Sequence, residues 1–213
     1  MKIRKIDVVD LTAERIPKVF KEKDIQYNAV DNVNWPSDYP YKPDFKLAVA
    51  HDGKNIFIHY KVSEKTSRAA ADMDCGPVWE DSCVEFFFAP DENGYYNFEC
   101  TCIGKLLIAY GADRHERQQS PREALEMVGR WASIGTEPFA EKPCGPWEVA
   151  LAIPVSALFR HEIHDLDNLV AKANFYKCGD LLSTPHFISW APIKTETPDF
   201  HRPEFFAELE FDD

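Results

Sequence analysis

Three residues in the stretch Trp79–Gly104, WEDSCVEFFFAPDENGYYNFECTCIG, are of types that could build one chemical site. Trp79 offers a flat ring whose electron-rich face meets the electropositive C–H groups of a pyranose. Glu85 and Glu99 offer carboxylate oxygens, which accept hydrogen bonds from hydroxyl donors. Together these are the groups a protein needs to grip a sugar ring. Two carboxylates about 5–5.5 Å apart are also the working pair of a retaining glycosidase. Binding and hydrolysis are both open readings at this point.

The elements that would position these residues follow from periodicity. In Tyr95–Cys102 the even positions Tyr96, Phe98, Cys100 and Cys102 are mostly apolar, while Asn97, Glu99 and Thr101 are polar. That is the period of two of a strand. Its partner Cys83–Pro90 is apolar almost throughout, as a strand covered on both faces would be, and Glu85 is its only charge. Pro90-Asp91-Glu92-Asn93-Gly94 between them is a turn signal. If Phe86 and Phe88 join the core opposite Phe98 and Tyr96, the register sets Glu85 directly opposite Glu99. Opposed Cβ atoms lie about 4.5–5.5 Å apart, and like charges there are destabilising. A cation, a shared proton or a ligand hydroxyl has to offset that repulsion.

Further strand-like runs are Ile3–Val9, Phe45–His51, Asn55–Val62, Leu106–Tyr110, Arg130–Gly135, Trp147–Ile153, Val170–Cys178, Phe187–Ala191 and Phe205–Phe211. Asp52-Gly53 joins two of them as a hairpin. Helical signal is scarce: Pro121–Val128 and Pro154–Phe159 each open with proline, which suits a first helical turn. Tyr39–Phe45 and Gly111–Ser120 read as loops. Many short strands with polar turns predict an all-β antiparallel sandwich, immunoglobulin- or jelly-roll-like, with a few short helices. The length, 213 residues, suits a single domain over 1–213.

The net charge of −12 argues against nucleic acid, whose phosphates would repel it. No apolar run approaches the ~18 residues of a membrane span. The start, MKIRKIDVVDLTAERIPK, has charges where a signal peptide needs its apolar core. A cytoplasmic protein is therefore expected as given, or a secreted or periplasmic one if a leader was removed. None of the six cysteines falls in a CxxC pair, so buried free thiols are expected and a zinc site is not.

Other candidates carry plainer alternatives. Phe200, in the loop TPDFHRPEF, is a candidate for the wall opposite Trp79, whereas Trp190 in ISWAP reads as core. Trp35 and Tyr39–Tyr41 are loop aromatics that suit a groove or a surface patch equally. Asn97, Asn174 and Tyr176 could bond sugar hydroxyls, and an exposed sheet face explains them as well. Asp72, Asp74, Glu80 and Asp81 are clustered oxygen ligands, but their spacing matches no compact calcium loop. His161 and His164 lack a third ligand. Catalytic serine triads, phosphate loops and dinucleotide fingerprints are absent by pattern.

Taken in order, WEDSCVEFFF, NFECTCIG, PWEVALAIPVSAL, VAKANFYKCGD, ISWAP and DFHRPEFFAELEF resemble the family 9 carbohydrate-binding modules, β-sandwiches often attached to xylanases. The resemblance spans most of the chain. It implies that Trp79 is one wall of an aromatic clamp, that Glu85 bonds a sugar hydroxyl, and that Asn174 and Tyr176 lie at or near the site. It also implies structural calcium, which it does not assign to particular residues here. Two positions depart from it: Glu99 stands where sugar-binding members carry an arginine, and Phe200 where they carry the second clamp tryptophan. The expectation is a non-catalytic domain that holds a mono- or oligosaccharide with Trp79, Glu85, Asn97, Glu99, Asn174, Tyr176 and Phe200. The alternatives are a glycoside hydrolase using Glu85 and Glu99, or a structural or interaction sandwich that has lost sugar binding.

Overall fold

The computed structural model describes all 213 residues. In chain order its strands begin with β1 (Lys2–Lys5), β2 (Asn28–Ala29), β3 (Asn32–Val33), β4 (Asp44–His51), β5 (Asn55–Ser63) and β6 (Ser67–Ala69). β7 (Cys83–Ala89), β8 (Tyr95–Thr101), β9 (Leu106–Gly111), β10 (Arg117–Gln119), β11 (Gly129–Ala132) and β12 (Phe139–Lys142) follow. The last are β13 (Trp147–Pro154), β14 (Val170–Cys178), β15 (Phe187–Ser189) and β16 (Ala207–Phe211). Two short helices, α1 (Ile16–Glu22) and α2 (Arg122–Met127), complete the regular structure, and no helix is long and apolar enough to cross a membrane.

The strands form two layers joined through β1. One layer runs β10-β9-β8-β7-β14-β16, the other β4-β5-β13-β11. β1 belongs to both: Lys2 and Ile3 pair with β16, then Arg4 and Lys5 pair with β4, each in parallel. Such a strand lets a twisted sheet fold back on itself without leaving two bare edges at the seam.

Between the layers lies the main core. Phe86, Phe88, Tyr96, Phe98 and Phe175 from the first layer meet Leu47, Ile58, Tyr60, Trp147 and Val149 from the second. The period-two reading of the hairpin is correct: Tyr96, Phe98 and Cys100 face this core. The predicted register is also found, with Phe86 against Phe98, Phe88 against Tyr96 and Glu85 against Glu99.

Both outer faces are covered. On the second layer α1 lays Ile16, Val19 and Phe20 over Ala48, Ala50 and Phe57. On the first, loops bring Trp35, Val78, Ile193, Phe200 and Phe206 over Phe87, Tyr95 and Tyr176. This outer cover explains the unbroken apolar run of β7: both of its faces are buried.

Four expectations need correction. Gly111–Ser120 is not all loop, because Arg117–Gln119 pairs with β9 as an edge strand. The first strand ends at Lys5 rather than Val9, after which Ile6 turns to pack beneath α1. Pro154–Phe159 narrows to a 3-10 turn at Val155–Ala157. α1 was not anticipated, although its buried residues recur at i, i+3 and i+4.

Candidate functional site

The outer face of the first layer carries a cavity of about 420 Å³, within the range of ordinary ligand sites. Trp79, Glu85, Asn97, Glu99 and Phe200 all line it. The floor is the hairpin β7–β8 with β14. Because successive side chains of a strand alternate, placing Phe86, Phe98 and Cys100 in the core sends Glu85, Asn97 and Glu99 to the opposite face.

Trp79 stands on a 3-10 turn, Val78–Glu80, after Gly76-Pro77. Val78 is buried and anchors the turn, while Asp81 closes it by accepting from Arg68 (2.6 Å) and from the Ala71 amide (2.8 Å). The backbone of Asp180 donates to the Trp79 carbonyl (3.2 Å) and that of Leu181 to Glu80 (3.1 Å). So fixed, the Trp79 side of the cavity keeps a large aromatic in place although the residue is 41% exposed. The opposite wall is different. Phe200 is only 9% exposed, stacked on Tyr176 with centroids 4.2 Å apart and planes at 8°.

Tyr176 and Asn174 are not among the cavity-lining residues. Tyr176 is buried under Phe200 and donates its hydroxyl to the Phe200 carbonyl (3.1 Å). Asn174 is buried and spends its amide on the loop at Ala191, donating to its carbonyl (3.0 Å) and accepting from its N–H (2.8 Å). Both hold up the wall from behind. Trp35 likewise lies under Phe200, donating to the Thr195 carbonyl (2.9 Å), rather than lining a groove. Trp190 packs edge-on against Phe175, as a core-facing residue should.

The floor is electrostatically tense. Glu85 is 3% exposed and Glu99 5% exposed. Burial first, and the neighbouring carboxylate second, push Glu85 well above the ordinary carboxylate range. Burial pushes Glu99 up to about 7, opposed by the Asn97 amide and by Arg117. The Cys178 thiol donates to Glu85 Oε1 (3.1 Å), and Asn97 Nδ2 donates to Glu99 Oε1 (2.8 Å). Glu99 Oε2 is buried with no donor. Cys83, Cys178 and Glu85 bring ligand atoms within 4.8 Å of one another. Burial holds Cys83 up at about 12 and Cys178 well above its usual value, so in the metal-free protein both are protonated thiols.

Several residues of the cavity gave no signal in the sequence. Arg117, on the edge strand β10, lies over the Tyr95 ring at 4.2 Å and donates to Asn97 Oδ1 (2.6 Å) and to the Tyr95 carbonyl (2.9 Å). An arginine is thus present near Glu99 after all, supplied by a different strand and acting through the Asn97 amide. Arg114 pairs with Asp199 (3.6 Å). Asp180, held up at about 6 by burial, and His201, held down at about 3 by burial, complete the polar lining. β10 is short and wholly polar, so periodicity could not reveal it.

Two carboxylates of the acidic stretch before the hairpin are already engaged by arginines. Asp74 is paired with Arg130 (2.6 Å) and Asp81 with Arg68 (2.6 Å), whereas Ca²⁺ takes about six to eight oxygens, several of them free carboxylates.

Comparison with known proteins is consistent across sequence and structure. A model of carbohydrate-binding family 9 matches residues 14–211. A crystal structure from Bacteroides uniformis, described as that of a candidate carbohydrate-binding protein, is 47% identical with a TM-score of 0.96, covering 100% of this chain and 98% of that one. A family 9 module from Caldicellulosiruptor kristjanssonii solved with cellotriose superposes at a TM-score of 0.65 and 10% identity, over 100% and 94% of the two chains. One solved with glucose gives 0.59 and 10%, over 100% and 95%. At that identity the likeness is one of fold. No curated protein matches the chain.

Proposed function

The chain belongs to carbohydrate-binding family 9, and we propose that the cavity beside Trp79 is its saccharide site. The observation that carries this reading is the convergence of Trp79, Glu85, Asn97 and Glu99, from one segment, with Phe200, from a loop far along the chain, on one open cavity. Trp79 supplies the exposed ring on which a pyranose stacks. Phe200 closes the other side with little free area, so most of the stacking falls on Trp79. Glu85, Glu99 and Asn97 form the hydrogen-bonding floor, and Asn174 and Tyr176 act by positioning Ala191 and Phe200.

Isothermal titration against a panel of mono- and oligosaccharides tests this. Trp79→Ala should weaken binding about tenfold, which corresponds to about 1.4 kcal/mol. Absence of any binding by the wild type, or equal binding by the variant, overturns the reading.

Hydrolysis by Glu85 and Glu99 is the competing reading, favoured by their direct opposition across the hairpin. A retaining glycosidase needs one carboxylate ionised as the nucleophile. Here burial favours the protonated form of both, and family 9 modules are non-catalytic. Turnover of an activated glycoside by the wild type would support hydrolysis instead.

A further inference from the structure

The cavity holds more carboxyl groups than its own cations can answer. Four carboxylates line it, Glu85, Glu99, Asp180 and Asp199, against two guanidiniums, Arg114 and Arg117. Arg114 is engaged by Asp199 (3.6 Å). Arg117 spends its donors on neutral acceptors: Asn97 Oδ1 and the carbonyls of Tyr95 and Asp113. It makes no hydrogen bond to Glu99 and acts on it through space and through the Asn97 amide. Lys177 of β14 is bound to Glu64 (2.9 Å), and His201 is neutral, its ring sharing a hydrogen bond with the Tyr95 hydroxyl (2.9 Å).

Glu85 and Glu99 are therefore left opposed and buried, with a thiol donor on one and an amide donor on the other. Glu99 Oε2 has no donor at all, and an unpaired buried acceptor costs about 1–3 kcal/mol. A sugar hydroxyl could donate one hydrogen bond there but brings no charge that would let the two opposed carboxyls ionise together. A protonated primary amine donates three and brings the missing positive charge.

We propose that this site selects an unacetylated amino sugar, with its ammonium group seated between Glu85 and Glu99. The assignment deepens the saccharide reading and rests on it. The N-acetylated form lacks the charge, so the same geometry discriminates against it.

The test is isothermal titration at pH 7 with glucosamine, galactosamine and mannosamine, each beside its N-acetyl form and its neutral parent hexose. In at least one series the amine should bind about tenfold tighter than both counterparts, since charge-assisted hydrogen bonds are roughly twice as strong as neutral ones. That ratio should fall towards one in Glu99→Gln and in Glu85→Gln, with thermal unfolding confirming that both variants are folded. Binding of the amine should also release protons as the floor ionises, seen as a dependence of the apparent enthalpy on the buffer. A neutral parent that binds as tightly as its amine in every series overturns the amine assignment alone. So does a preference that survives in both glutamine variants, because the ammonium then sits elsewhere. If no sugar of these series binds but another saccharide of the wider panel does, the amine assignment alone fails; if nothing in either set binds, the saccharide reading fails and this assignment fails with it.

Discussion

Glu99 shows how one side chain can burden a fold while lining a cavity. Nothing in its immediate surroundings favours the ionised form as strongly as burial opposes it, so it titrates at about 7 in the folded chain against an ordinary 4.5. A raised pKa means that folding favours the protonated carboxyl. Its contribution to stability is fully present below about pH 4.5 and is lost as the pH rises through 7. Glu99→Gln removes this dependence. Relative to wild type, the variant should gain on the order of 3 kcal/mol on going from pH 4.5 to 8, because a tenfold change in proton affinity is worth about 1.4 kcal/mol. Urea denaturation of both proteins across that range measures the difference, and an unchanged gap would show that Glu99 is not held protonated. The opposition of Glu85 and Glu99 was readable from the sequence, because alternation leaves no other register once the phenylalanines are assigned to the core. The partial relief supplied by Arg117 was not, because it comes from a strand with no apolar positions.

Among the elements, the hairpin β7–β8 and the strand β14 were the most legible, since their periodicity and length are strong and their turn residues clear. The edge strand β10 was the least legible and is the one that brings Arg117 to the site. Its approach to β9 depends on Gly111: a Cβ there would lie 2.3 Å from the Glu116 carbonyl oxygen, a backbone atom that cannot yield without moving the strand. Gly111→Ala should therefore push β10 outward, release Arg117 from Asn97, and destabilise the chain by about 1–3 kcal/mol. It should also weaken saccharide binding although residue 111 does not line the cavity. Denaturation and titration on the same preparation check both halves, and wild-type affinity in the variant would show that Arg117 does not organise the floor. α1 was missed for a different reason. Its apolar spacing is present, but seven residues are too few to stand out without the alanine-rich face of the second layer beneath them.

At the scale of the whole molecule, one core spans both layers and β1 ties them together, so the site and the distant sheet should lose structure in one step. Phe86 lies at the centre of that core, stacked on Phe175 with centroids 4.9 Å apart, on the strand that also carries Glu85. Phe86→Ala should cost about 3–5 kcal/mol and lower the Tm by about 10 °C. Tryptophan fluorescence, reporting Trp79 and Trp147 in different parts of the fold, should still follow the same transition as far-UV circular dichroism. Separate transitions would mean that the layers unfold independently. The sequence by itself determined the sandwich, the core face of the hairpin and the confrontation of two glutamates, because these follow from a strand's period of two and from turn chemistry. Only the tertiary structure decided which polar residues share a cavity. Arg114, Arg117, Asp180 and His201 come from loops and short strands that carry no local pattern, and the same packing set Asn174 and Tyr176 behind the wall rather than on it. Contacts between segments distant in the chain are made by whole layers closing on one another, and no single stretch of residues encodes them.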